Sequence, residues 1–338
     1  MKKLLGLLLT LLFAANIQTF AAGIEVLPTM QSRSNAQDRV WVGTFQLVWN
    51  DFMDKFVHNP VRFREGTPVF VQELNKQAFT VDDISDKSYY KITTKVTKNT
   101  KKQITKAIRK KFRESSDILD KLDLTPRNDK FLIYAMLKKD FEFKNEFNKL
   151  GKSAFGEDKT AEYFGVTKGS KDEFGNSVNV LFYNNPDDFA VMLTTKSNDE
   201  VYLYKNSANK EFHYLYADML KKQSAFTGSK EFGNDDELKV PNIKLFEEKT
   251  FDELSGKRVM GTNIVIDQAI ETIKFDMDNK GVKLKSEAAM TIMKMSLMPD
   301  NEQRLFYLND TFVIFLKEKG KQNPYFALRV HDIDKYQK

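Results

Sequence analysis

Residues 267–290 read DQAIETIKFDMDNKGVKLKSEAAM, and the part beyond Gly281 fits two kinds of structure. The first half belongs to a β or mixed stretch, residues 263–277, with a strand expected near 270–277. After Gly281, the residues Val282, Leu284, Ser286, Ala288, Met290 and Ile292 share one parity and are apolar apart from Ser286. Lys283, Lys285, Glu287, Ala289, Thr291 and Met293 share the other parity, which holds every charge. Successive side chains of a strand point to opposite faces, so this alternation permits a strand with one covered face. A helix is also permitted. SEAAMTIMKMSLM (286–298) is rich in helix formers, Ser286 can cap it, and Ala289, Ile292 and Met293 recur near helical spacing.

Working outward, the C-terminal half is mostly β. VNVLFYN, FAVMLTT and VYLYK, separated by the turns NPDD and SNDE, predict two successive hairpins over 178–205. Residues 311–316 and 325–330 predict a final strand pair around KEKGKQN, and 240–246 open a further strand. The N-terminal half carries the helices. Residues 40–57 read as a buried helix, with Trp41, Phe45, Trp49, Met53 and Val57 at i, i+4 spacing and Pro60 ending it. TVDDIS (80–85) predicts an N-capped turn and 89–96 a strand. Residues 100–113 predict an amphipathic helix, with Ile104, Ile108 and Phe112 inward and Lys101, Lys102, Lys106, Arg109 and Lys110 outward. After a turn at 122–129, residues 131–137 read as a strand buried on both faces, and 211–222 as a helix. Helices lead and strands follow, which is an α+β pattern. No linker divides residues 22–338, so a single domain is expected.

The N-terminus MKKLLGLLLTLLFAANIQTFAAG has two lysines, an apolar run and small residues before Ala22, so residues 1–21 are expected to be a cleaved signal peptide. The run is shorter than the ~20 apolar residues that span a bilayer. The expected location is therefore secreted or periplasmic, without a membrane span. The chain holds no cysteine, which excludes disulfides, zinc–thiolate sites and a cysteine nucleophile. Lys and Arg total 53 against 47 acids, and removing Lys2 and Lys3 leaves 51 against 47. That mild excess selects no partner, and nucleic acid is not expected. The 28 Phe and 12 Tyr suit a β-rich core.

Several strings, in collinear order over about 89–335, resemble the serpin family. TKKQITKAIRKKF, SDILDKLD and DKFLIYAMLKKDFEFKNEF resemble its helix F, the connecting loop and strand 3A. KVPNIKLFEEKTFDEL resembles the strand 6A stretch, residues 267–290 resemble strand 5A and the reactive-loop hinge, and LNDTFVIFLKEKGKQNPYFALRV resembles the last two strands. The resemblance implies a central mixed sheet containing 131–137 and 270–277, with the helix 100–113 packed across it. It also implies a second, C-terminal antiparallel sheet joining 311–330 to 178–205, and N-terminal helices. In function it implies an inhibitor of serine-type endopeptidases, whose loop (282–300) is cleaved and then inserted as a strand. The hinge would be Gly281, Val282, Leu284, Ser286 and Ala288, and the reactive bond Met295–Ser296, suited to a protease with an apolar primary pocket. An exposed loop is the first reading of this segment, a fixed helix the second and a strand already inserted the third. A non-inhibitory binding or scaffold protein of the same fold is the alternative function, and an unrelated surface protein a third.

The departures from the family bear on that choice. Only about 80 mature residues precede the helix at 100, and GTFQL (43–47) puts Gly43 and Thr44 where a Ser-Pro-Leu-Ser string is expected. LKKDF (137–141) replaces Lys-Gly-x-Trp, and Asn279 and Lys280 replace an acidic pair. The bulky and charged residues after Gly281 should slow strand entry.

Other chemistry is sparse. His58, His213 and His331 lie far apart, and the spacings to Asp54 and Asp334 are weak metal signals. Asp82/Asp83, Asp187/Asp188 and Asp235/Asp236 read as caps and turns. No nucleophile elbow or phosphate loop is present, so neither an enzyme nor a cofactor is expected. The basic side chains Lys101, Lys102, Lys106, Arg109 and Lys110 are a candidate polyanion site, weighed against a plain solvated face. A monomer is expected.

Overall fold

A computed structural model describes residues 23–283 and 303–337 of the chain. It opens with β1 (Glu25–Leu27) and β2 (Arg39–Val42), which pair in parallel. The expected helix over 40–57 is shorter at its start: Val40, Trp41 and Val42 are strand, and α1 is Thr44–Phe52, continued by a π-turn over Met53–Val57. Gly43 makes the break. A Cβ there would lie 2.2 Å from the Phe79 ring, so the chain bends where only glycine fits. The helix ends at His58, in the left-handed region with φ 58°. After α2 (Val69–Leu74), Thr80 and Asp83 form a capping box around a 3₁₀ turn, as the sequence suggests.

β3 (Tyr89–Lys95), α3 (Thr100–Phe112) and β4 (Phe131–Leu137) form one small unit. β3 and β4 pair antiparallel, and α3 seats Ile104, Ile108 and Phe112 on Tyr134, Leu132 and Met136. β4 is not buried on both faces as its apolar run suggested, since Phe131 at its start is 53% exposed. A short β5 (Phe141–Glu142) follows. The hairpin β6 (Asn148–Phe155) and β7 (Lys159–Val166) was not legible in the sequence, because its first strand is polar and largely exposed.

Beyond α4 (Lys171–Phe174), the two expected hairpins appear as β8 (Val178–Asn185), β9 (Asp188–Thr194) and β10 (Asp199–Lys205), followed by α5 (Phe212–Ala225). The strand expected at 240–246 is two strands in different sheets, β11 (Glu237–Pro241) and β12 (Ile243–Thr250), because Pro241 and Asn242 form a corner. β13 (Ile270–Asp278) runs back along β12 and turns through Asn279–Lys280 into β14 (Gly281–Lys283). β15 (Leu305–Tyr307), β16 (Phe312–Glu318) and β17 (Phe326–Val330) complete the chain.

The architecture is α+β. A seven-stranded sheet of order β1-β2-β17-β16-β10-β9-β8 holds the final strand pair, antiparallel and fully buried, beside the 178–205 hairpins. Smaller sheets have the orders β15-β11-β7-β6, β12-β13-β14-β5 and β3-β4. The expected central sheet is thus divided: β4 and β13 lie in separate sheets, with no ladder between them. No helix of the described residues is long and apolar enough to cross a membrane.

Ile108 is fully buried in the small α3 cluster, so Ile108→Ala should cost about 3 kcal/mol in urea denaturation. A loss below about 1 kcal/mol would show that α3 is not held by this seat.

Candidate functional site

Among the described strands, β4 has ladder partners only in β3, while β13 meets β14 over Asp276, Met277 and Asp278 but has only β12 along the rest of its length. Bare strand edges are templates for another strand. Both edges line one cavity of about 1170 Å³, with Phe45, Val48, Trp49 and Phe52 of α1 contributing to its lining.

At one end of this cleft a strand has begun. β14 pairs on one side with β13, matching Val282 to Met277, and on the other with β5, matching Val282 to Phe141 and Gly281 to Glu142. Val282 is 2% exposed and belongs to the main core. Gly281 permits the close approach: a Cβ would lie 2.3 Å from the Phe141 carbonyl oxygen. Of the hinge residues read from the sequence, the structure brings Gly281 and Val282 into the sheet. Leu284, Ser286, Ala288, Met295 and Ser296, with the rest of the reactive segment, lie outside the described residues.

Beside the stub, Lys139 carries a buried charge cluster. Its Nζ donates to a Glu318 carboxylate oxygen and to Asp199 Oδ1 at 2.7 Å, and stands 4.9 Å from the Tyr325 ring centre. Glu318 also accepts the Ser85 N–H at 2.9 Å and the Ser88 hydroxyl at 3.1 Å, while the Tyr325 hydroxyl donates to Asp199 at 3.0 Å. Burial works to raise the Glu318 carboxyl, but the Lys139 bond and charge, with Ser85 and Ser88, outweigh it and hold the group below its ordinary value. Burial beside Asp199 pushes the Tyr325 phenol well above its usual value. In the sequence, LKKDF (137–141) shows only a departure from a family string. Nothing in it showed that Lys139 reaches across to β10 and β16.

Glu271 is the second residue that sequence reasoning missed. It lies in the buried row of β13 with Ile273, Phe275 and Met277, and is 4% exposed. One carboxyl oxygen accepts the Phe45 N–H at 3.2 Å, in the first turn of α1, and the other is buried without a partner. Burial pushes this carboxyl up to about 8, against the lowering effect of the Phe45 N–H. A glutamate in the apolar parity of a strand was the available signal.

The remaining candidates are dispersed. Lys101, Lys102, Lys106, Arg109 and Lys110 are exposed on α3, and Lys101 pairs with Asp120. His331 Nδ1 meets the Thr311 hydroxyl at 2.7 Å, and Asp334 lies toward Lys159. Asp83 caps its turn, Asp187 follows an Asn185 turn, and Asp236 accepts from Gly233 and pairs with Arg304. No cluster of metal-ligating side chains occurs among the described residues.

No protein-family model matches the chain, and no curated protein matches it. Among solved structures, the chain is similar to Serpin48, a highly specific serpin of the insect Tenebrio molitor, at 14% identity over 80% of this chain and 73% of that one, with a TM-score of 0.40. It is also similar to thyroxine-binding globulin in complex with thyroxine, at 10% identity over 84% of this chain and 95% of that one, with a TM-score of 0.44.

Two measurements test this geometry. A carboxyl whose folded value is raised contributes stability that is full below about pH 4.5 and is lost as pH rises through about 8. Glu271→Gln should therefore flatten the stability profile between those limits and raise the melting temperature at pH 8; an unchanged profile would place Glu271 in water. Lys139→Met leaves two carboxylates buried and should cost about 3 kcal/mol or more at pH 7. The loss should shrink in a Glu318→Gln background, and equal losses in both backgrounds would show that the pair is not coupled. Because the Glu318 value is depressed, the parent's advantage over Lys139→Met should persist above about pH 4.5 and fade as pH falls further.

Proposed function

We propose that this chain is an exported, serpin-like inhibitor of serine-type endopeptidases, with residues 1–21 as its leader. The observation that carries this reading is β14, a strand already started between β13 and β5 at the head of a cleft lined by two bare edges. Continued at the same register, Leu284 would stand opposite Phe275, Ser286 opposite Ile273 and Ala288 opposite Glu271, the buried row of β13. This is the apolar parity of the segment, so entry would cover Leu284 and Ala288 and give both edges their missing ladder bonds.

In the proposed cycle the serine of an apolar-pocket protease attacks the carbonyl carbon of Met295. The Met295–Ser296 peptide bond breaks, an ester forms on Met295, and the new amino group leaves on Ser296. The freed hinge then enters the cleft and carries the acyl-enzyme with it before water reaches the ester. Monomeric action suffices for this scheme.

One feature favours the second reading, a non-inhibitory binding or scaffold protein of the same fold. At the β14 register Lys285 would come between Lys274 of β13 and Lys138 beside β5, three lysines in one row. Lys274 pairs with Asp117 and Lys138 with Glu114, which reduces the repulsion without removing it. Like charges directly opposite oppose strand pairing, and a slow strand loses the race against ester hydrolysis.

Incubation with elastase-like and chymotrypsin-like proteases should give an SDS-resistant complex and a loop cut after Met295, with a marked rise in melting temperature of the cleaved protein. Lys285→Ala should raise the trapped fraction relative to simple turnover. Turnover alone, with no rise in melting temperature in either protein, would discard the inhibitor reading in favour of the non-inhibitory one.

A further inference from the structure

Residues 113–130, which join α3 to β4, contain no helix or strand. Ser116, Asp117, Ile118, Leu122 and Asp123 of this segment line the same cavity as β4 and β13. The segment touches both sides of the cleft, and it is fastened to them by different forces.

On the side of α3 and β4 the hold is mainly apolar. Leu119 is 3% exposed and shares one cluster with Ile104, Ile108, Phe112 and Tyr134, and Ile118, Leu122 and Leu124 pack against it. Among the described residues, that cluster includes none from β12 or β13. Glu114 adds a pair with Lys138 at 2.9 Å, and Asp120 one with Lys101. On the side of β12 and β13 the hold is polar. Asp117 Oδ1 meets Lys274 of β13 at 2.9 Å, and Lys121 meets Glu248 of β12. The Asp123 N–H donates to Gln268 Oε1 at 2.7 Å, and Lys130 Nζ meets both Asp123 and Asp267 at 2.8 Å. Both partners of the Asp117 and Lys121 pairs are half-exposed, and Asp267 is 55% exposed. Exposed pairs gain little in water and weaken as salt screens them, whereas apolar burial does not.

We propose that residues 114–130 are an ionic strap that holds the mouth of the cleft shut, and that ionic strength is its release. When the three cross-cleft pairs are screened, the strap parts from β12 and β13 and stays with α3 and β4, to which its apolar side chains bind it. Neither side unfolds, because β13 remains paired to β12 and β4 to β3. The cluster of α1, against which Ile133 of β4 packs, keeps the two sides joined away from the mouth. As a control on strand entry the strap rests on the inhibitor reading; as a lock on the cleft it rests only on these contacts.

Spin labels on Lys106→Cys of α3 and Thr250→Cys of β12, both exposed positions in a chain without cysteine, report the width of the mouth. Double electron–electron resonance should give one distance at about 20 mM NaCl and add a longer one at about 500 mM, as the screening length falls from ~20 Å to ~4 Å. Asp117→Asn, Lys121→Gln and Asp267→Asn together should give the longer distance at low salt, with no further response to salt. A parent distance that ignores salt, or a triple variant that stays closed, would overturn the strap; if the variant does not melt cooperatively, the parent's salt response decides. Strand entry is timed separately, after a brief cut by an elastase-like protease that is then stopped with a serine-protease inhibitor. The gain in melting temperature should develop about tenfold faster at high salt, and equally fast in the variant at low salt. An equal pace in all samples would overturn the strap's control over entry. No gain in any sample, with the distances responding as expected, would remove the inhibitor reading and keep the lock.

Discussion

Two strand edges that share no ladder dominate this molecule. Backbone N–H and C=O groups are obligatory hydrogen-bonding groups, and leaving them bare inside a fold is costly unless water or another strand meets them. β4 and β13 keep such edges because each is fastened elsewhere. β4 is paired to β3 and roofed by α3, whose Ile104, Ile108 and Phe112 hold Tyr134. β13 is paired to β12 from Ile270 to Met277, and Phe275 stacks on Phe326 of the large sheet with ring centres 4.5 Å apart. Neither half needs the other in order to be buried, so the division between them is stable without being filled.

The ends of the cleft are unlike. At the β14 end, Lys139 joins the β4–β5 junction to β10 and β16 through full charges, which tolerate little displacement because separation leaves buried ions behind. This cluster fixes β5, and β5 in turn accepts β14. Toward the other end, Phe131 and Val265 are 53% and 51% exposed, and Lys130, just before β4, pairs with Asp267, just before β13, at 2.8 Å. The two sides are thus tied at both ends, by a buried cluster at one and a half-exposed ion pair at the other.

Much of this was legible from residue patterns. Short apolar runs bounded by the turn strings NPDD, SNDE and KEKGKQN located β8, β9, β10, β16 and β17. The i, i+4 set Ile104, Ile108 and Phe112 located α3 and its inward face. The N-terminal boundary of α1 was missed because Trp41 and Phe45 match helical spacing, while the constraint at Gly43 comes from Phe79, far along the chain. Equally, an apolar run at 131–137 cannot tell a central strand from one covered by a helix on one side and bordered by a cleft on its edge. The charge cluster was invisible for a plainer reason: Lys139, Asp199 and Glu318 are distant in sequence, and each alone reads as a surface residue.

Glu271 sets a condition on the filling of the cleft. A carboxyl in an apolar row is tolerated when neutral, and the Phe45 N–H at the start of α1 offers only one bond to it. An entering strand would place Ala288 opposite it, a side chain with nothing to donate, and would remove what water reaches it. Filling by a strand would therefore favour the protonated acid. Above about pH 8, where this carboxyl ionises, strand entry would be opposed by a buried charge facing Ala288, so Glu271 ties the filling of the cleft to pH.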